Sequence, residues 1–349
     1  MPEGEERRAR VPRVGLDAYS LTGPSGHEIC DRDVFRLLRK TKELGADGLQ
    51  AALPDDAAAI RDAFGLAAEL DLYLEPYVHL PLHWQGDPAV IERRERKFHL
   101  TCQIAAEHGV RALHCTMGAR ERFQAPGRWK EFVAATAPTL RRLAPVLRER
   151  GMRIGLENHW DYTTYEIVQI AEQVGGDVVG VGLDTGNLPI LGEAPERAIA
   201  RAAPWTATTH LKDVYLFSTA HGAARPIVGL GEGQMGIANA VAAIAKHQPA
   251  INFTIEDHPV IYPVEYFEPW WLDALPELTT HDIAELARLA REGDRWLAEH
   301  RVSDPHAAEL VPWSIRGPAR LAADVRAVQQ MLRHVEATPP VGERGAAKA

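Results

Sequence analysis

"RIGLENHW", residues 153–160, starts as a strand with apolar side chains in alternation and ends in a carboxylate, an amide and an imidazole. A strand that only filled a core would finish in a turn residue. Glu157, Asn158 and His159 instead gather polar chemistry at its C-terminal end. The same plan recurs downstream: "VVGVGLDTGN" (178–187) delivers Asp184, "TATTHLKDV" (206–214) delivers His210, and "INFTIEDHP" (251–259) delivers Glu256. A helix-like segment precedes each of them, at 163–175, 194–204 and 236–247. Upstream, "RVGLDAYS" (13–20), "DGLQAAL" (47–53), "LYLEPYVHL" (72–80) and "RALHCTMG" (111–118) are strand-like. Helical patterns follow them at 31–45, with Asp31 as N-cap and Gly45 as C-cap, and at about 56–70, 88–109 and 127–151.

Strict β-then-α alternation calls for a parallel sheet, because parallel strands need crossover connections. Eight such units favour an α/β fold closed as a (β/α)8 TIM barrel over an open doubly wound sheet. No Pro/Gly/Ser linker interrupts the alternation, so residues 11–264 read as one catalytic barrel. Residues 265–336 read as a helical C-terminal extension, with Trp270, Trp271 and "WLDALPEL" suggesting a surface packed on the barrel or on a partner subunit. The first ten residues and the Pro/Gly-rich stretch 337–349 read as frayed ends.

The bulk numbers exclude several classes. A net charge of −9 without a basic run lacks the electrostatic footprint of a nucleic-acid binder. No apolar run reaches the roughly 18 residues of a membrane span, and "MPEGEERRAR" lacks the apolar region of a secretory signal. Three cysteines without C-x-x-C spacing fit a reducing cytoplasm rather than a disulfide framework.

In a barrel, the ends of the last four strands share the face where active sites lie. Glu157, Asp184, His210 and Glu256 then converge, and carboxylates so close repel one another without a cation. One nitrogen and several oxygens suit a divalent metal such as Mn²⁺, Mg²⁺, Fe²⁺, Co²⁺ or Zn²⁺. "GLENH", "GLDTGN", "THLKD", "GLGEG" and "TIEDH", in this order, resemble the sugar phosphate isomerase/epimerase superfamily, the xylose-isomerase-like barrels. The resemblance covers roughly residues 11–260. It implies Glu157, Asp184, His210 and Glu256 as ligands of one divalent metal, foremost Mn²⁺, with Glu157 and Glu256 doubling as the bases that move a proton beside a sugar carbonyl. Lys212 shares the sheet face of His210 and is either an oxyanion holder or a surface lysine paired with Asp213.

One departure keeps a second chemistry open. Many epimerases of this superfamily carry a histidine three residues after the strand-6 aspartate, where this chain has Asn187. They also keep a substrate arginine soon after the strand-7 histidine. Here the nearest candidate, Arg225, lies beyond an inserted loop, "YLFSTAHGAA" (215–224). The superfamily also contains eliminating members, among them the large subunits of C-glycoside deglycosidases, which act on 3-oxo-glycosides and bind a small partner subunit. The expected ligand is therefore a small sugar or a glycoside, and the expected assembly a homo-oligomer, with a small subunit in the second case.

Histidines bear on that choice: His79 and His83 near strand 3, His114 inside strand 4, His159 and His258 after strands 5 and 8. Several on one rim suit a polar ligand or an acid for a leaving group, with His159 the catalytic candidate and His79 and His114 substrate contacts. Trp84 and Trp160 are candidates for stacking on a ring. Rivals from other classes are weaker. "GEGQMG" (231–236) imitates a dinucleotide fingerprint, but falls late in the chain with no second mononucleotide half after it. A multi-metal endonuclease needs more ligands and a basic surface. A non-catalytic sugar sensor has no need of an intact ligand set.

Overall fold

The computed structural model describes residues 12–23, 28–83, 86–118 and 120–337. Both expected frayed ends and Trp84 lie outside this range, apart from Ala337 at the end of the last helix. Eight parallel strands form the barrel: β1 (Val14–Asp17), β2 (Gly48–Ala52), β3 (Tyr73–Tyr77), β4 (Ala112–Cys115), β5 (Arg153–Glu157), β6 (Val179–Asp184), β7 (Thr206–His210) and, after an insertion that holds β8 to β10, β11 (Phe253–Ile255). They pair in the order β11-β1-β2-β3-β4-β5-β6-β7. The ring closes where Leu211, just past β7, bridges in parallel to Ile255, with Leu211 N donating to Thr254 O at 2.8 Å and Glu256 N to Leu211 O at 3.2 Å.

Glycines let the barrel interior close around one large side chain. Tyr73 lies across the lower barrel, its hydroxyl 3.3 Å from Thr254 Oγ1. A Cβ on Gly48 would stand 2.2 Å from the Tyr73 ring, and one on Gly15 would stand 2.1 Å from its hydroxyl. Gly48→Ala therefore overpacks the core and is expected to cost about 1–3 kcal/mol, read as a lowered thermal midpoint. An unchanged midpoint would show that Tyr73 has room to move.

The structure corrects three local expectations. The first helix of the βα series runs Val34–Glu43 and is capped by Asp33, whose Oδ1 accepts from Phe35 N; Asp31 sits two residues earlier and accepts from Asp33 N. The first strand stops at Asp17, because its carboxylate accepts from Tyr19 N and starts a short helix, Ala18–Thr22. The inserted segment after β7 is sheet rather than loop. β10 (Gly222–Val228) pairs antiparallel with β8 (Asp213–Val214), with β9 (Phe217–Thr219) and with β12 (Ile261–Val264). Gly222, at φ 137°, makes the return between β9 and β10.

Beyond β12, helices Thr280–Ala298 and Trp313–Ala337 pack on the barrel. Trp313 is fully buried, and its indole N–H donates to Ser20 O at 2.8 Å. Arg320 pairs with Asp257 at 2.5 Å, and Asp324 accepts from Leu230 N at 2.9 Å. The last helix thus fixes the chain that follows β11, immediately after Glu256.

Candidate metal centre and active site

Four consecutive positions of the closed barrel deliver the donors. Glu157 ends β5, Asp184 ends β6, His210 ends β7, and Glu256 follows β11. One ligand atom from each lies within 4.8 Å of the others, and all four residues are buried. His210 Nδ1 is 3.2 Å from Glu157 Oε1 and 2.9 Å from Glu256 Oε2. Ligands about 2.1 Å from one ion at right angles stand about 3 Å apart, so these spacings fit adjacent corners of an octahedral oxygen–nitrogen site.

A second layer orients the donors. Gln50 on β2 presents Oε1 to His210 Nε2 at 2.6 Å, while its amide donates to Glu75 Oε1 at 2.6 Å. That contact accepts the Nε2 proton and turns Nδ1 toward the carboxylates, where it would ligate a bound metal. Gln50→Ala is therefore expected to weaken divalent-metal binding about 10–100-fold, measured by Mn²⁺ titration; unaltered affinity would remove Gln50 from this role. Asn158 clamps β6 through its amide, donating to Asp184 O at 2.8 Å and accepting from Asp184 N at 2.9 Å. Asn187 donates to Asp184 Oδ2 at 2.6 Å and accepts from Arg225 at 2.8 Å.

Lys212 is not a surface lysine. Its ammonium is buried 2.9 Å from Asp184 Oδ2 and 2.7 Å from Glu256 Oε2. Asp213 has its own partners: it accepts from the backbone N–H groups of Gly231, Gly233 and Met235 at 2.9–3.0 Å. The glycine-rich turn "GEGQMG" therefore embraces an aspartate of this chain, which explains its false likeness to a phosphate-binding loop.

Burial alone would raise Glu157 and Glu256. The imidazoles of His210 and His114 hold Glu157 well below the usual carboxylate range, and Lys212 with His210 does the same for Glu256. Both are thus ionised and ready to bind a cation or accept a proton. Burial pushes Asp184 up to about 6 against the pull of Lys212, and Asp17 up to about 7 against that of His210.

A cavity of about 520 Å³ opens over these groups. Its wall includes Glu157, His210, Lys212 and Glu256, together with His79, His159, Trp160 and Asn187. His159 Nδ1 faces Gly118 O at 3.0 Å, and Trp160 meets Tyr262 edge to face at 4.5 Å. His114 lies below, between Glu157 Oε2 at 3.0 Å and Thr208 Oγ1 at 2.9 Å. The fully buried His114 does not line the cavity, nor do Arg225 and His83. Arg225 is fully buried behind Asn187, its guanidinium 4.7 Å from the Tyr262 ring, and does not line the cavity. His83 accepts from Asp87 N, away from the cavity.

Sequence reasoning missed Asp17, Gln50, Glu75, Tyr19 and Tyr262. Asp17 carried a usable signal, since "GLD" ends β1 as it ends β6. Gln50 and Glu75 show as polar residues inside apolar strands. Tyr262 sits on the inserted sheet, which no barrel periodicity reveals.

The eight-stranded barrel with its ligand-like cluster defines a class, and the comparisons agree with it. Residues 38–260 match the xylose isomerase-like TIM barrel family, and the chain belongs to that family. No curated protein sequence matches it. Among solved structures it is similar to L-ribulose 3-epimerase, at 21% identity and TM-score 0.52, over 86% of this chain and 98% of that one. It is also similar to D-psicose 3-epimerase from Clostridium cellulolyticum H10, at 17% identity and TM-score 0.51, over 81% and 98%. A third is a xylose isomerase-like TIM barrel protein from Mycobacterium smegmatis in complex with magnesium, at 18% identity and TM-score 0.54, over 80% and 97%. At such identities the likeness shows the fold. Among the described residues, no helix is long and apolar enough to cross a membrane.

Proposed function

We propose that this protein is a divalent-metal-dependent enzyme that moves a proton on the carbon beside a sugar carbonyl, of the isomerase/epimerase type. The observation that carries the reading is the convergence of Glu157, Asp184, His210 and Glu256 within 4.8 Å at one barrel mouth. A D-psicose 3-epimerase solved with D-tagatose and an L-ribulose 3-epimerase stand among the structural neighbours and support the same class. These four residues would hold the metal, foremost Mn²⁺, which when bound supplies Lewis acidity toward a carbonyl and its neighbouring hydroxyl. Glu157 and Glu256 stand at the two ends of the ligand arc, so one carboxylate can take the carbon proton and the other return it on the opposite face. Lys212, between Asp184 and Glu256, holds negative charge that develops on substrate oxygen.

A second reading is favoured by the shape of the cavity. Part of its wall is apolar, built by Ala18, Leu37, Ala51 and Ala52, with Tyr19, Tyr77, Thr22 and Arg32 also in the lining. That apolar part suits an aglycone. In this reading the enzyme is a lyase on a 3-oxo-glycoside: a carboxylate takes the α-proton, and His159, on the cavity wall, protonates the departing group. Barrel 11–264 and extension 265–336, the cytoplasm, and a homo-oligomer complete the proposal, with a small partner subunit if the lyase holds. The deciding comparison sets a 3-oxo-glycoside with a phenolic aglycone beside fructose and tagatose. Ketose epimerisation without aglycone release supports the first reading; aglycone release without epimerisation replaces it with the second.

A further inference from the structure

We propose that the opposite, N-terminal face of the barrel carries a second binding site, for a small organic anion. A cavity of about 460 Å³ lies there, walled by the first residues of β3, β4, β5 and β7 and by the approach to β11. This face usually serves stability, and active-site loops stand at the other end. Its charge is unlike that of the rest of this acidic chain. Arg13, Arg111, Arg153 and His108 all line the cavity. Glu75 is the one carboxylate in the wall, and it is buried with its Oε1 accepting from Gln50 inside the barrel.

The arginines are held largely by backbone carbonyls. Arg153 donates to the carbonyls of Trp205, Thr206 and Val179, at 2.8, 3.2 and 3.4 Å. Arg111 donates to the Arg150 carbonyl at 3.0 Å. Carbonyl contacts orient a guanidinium without cancelling its charge, and burial lowers the pKa of Arg153 against the pull of Asp177. Arg13 pairs at 3.3 Å with Asp71, whose side chain is 89% exposed, so solvent screens that pair. Fixed guanidinium forks around a concave space suit carboxylate or phosphate oxygens.

The rest of the wall describes the remainder of the ligand. Phe64, stacked on His108 with ring centroids 4.6 Å apart, forms an apolar wall with Leu72 and Val110 that suits a short carbon skeleton. A short carbon chain bearing one carboxylate or one phosphate satisfies both features. The site stands apart from the metal cluster and does not depend on which reaction occurs there.

The test is isothermal titration of the full chain, at low salt, with glycerol 3-phosphate, with glycerate, and with glycerol as the neutral control. Saturable binding by one or both anions and none by glycerol is expected; the two anions distinguish phosphate from carboxylate. Arg111→Ala, a change at an exposed side chain, is expected to weaken that binding about tenfold. Arg153→Met serves as a second variant. Absence of saturable anion binding, or binding of equal strength in the wild type and Arg111→Ala, would overturn the proposal.

Discussion

Glu157→Gln and Glu256→Gln are each expected to lower kcat/KM by about a thousandfold or more, whichever sugar is the substrate. The amide keeps the size of the side chain and one oxygen donor, yet it can neither accept the carbon proton nor offer negative charge to a cation. The environments are equivalent enough to predict the same outcome at both ends of the arc: each carboxylate is buried, held ionised, and within 3.2 Å of His210 Nδ1. Metal content of each variant must be measured beside its kinetics. Lost turnover with metal retained assigns the proton transfer, whereas near wild-type turnover in either variant removes that carboxylate from the chemistry.

The second large effect concerns the metal. The protein is expected to bind about one equivalent of divalent metal per chain, and EDTA is expected to abolish activity that Mn²⁺ or Co²⁺ then restores. The sign of the effect follows from electrostatics: three carboxylates outnumber the single Lys212 ammonium at one site, so the attraction of a dication to the carboxylates exceeds its repulsion by Lys212. Asp184→Asn should weaken binding without removing Glu157 or Glu256. An active preparation shown to be metal-free would contradict the assignment.

The barrel was legible because its signal is periodic. Each βα unit repeats an apolar strand and an amphipathic helix, and the polar residues at the strand ends stand out against that background, as Glu157 does in "RIGLENHW". The convergence of four strand ends follows from closure alone, so the proposed ligands could be named in advance. What stayed hidden depends on contacts between distant segments. Gln50 and Glu75 matter because the closed ring brings β2 and β3 opposite His210. The inserted sheet escaped notice because Phe217–Thr219 and Asp213–Val214 are too short to show a period of two. Arg225 read as a substrate contact from its place after His210, but antiparallel pairing with β12 turns it behind Asn187 and under Tyr262. Lys212 left two readings open because alternation gives the face of a residue and not its partner.

Incubation of the metal-loaded protein with a ketose or a 3-oxo-glycoside in D₂O, followed by NMR of recovered substrate and product, bears on both readings at once. Both require a carbon-bound proton beside the carbonyl to leave on Glu157 or Glu256. Deuterium entering that carbon with wild-type protein, and failing to enter with Glu157→Gln or Glu256→Gln, is the predicted result; turnover with the original hydrogen fully retained at that carbon would contradict it.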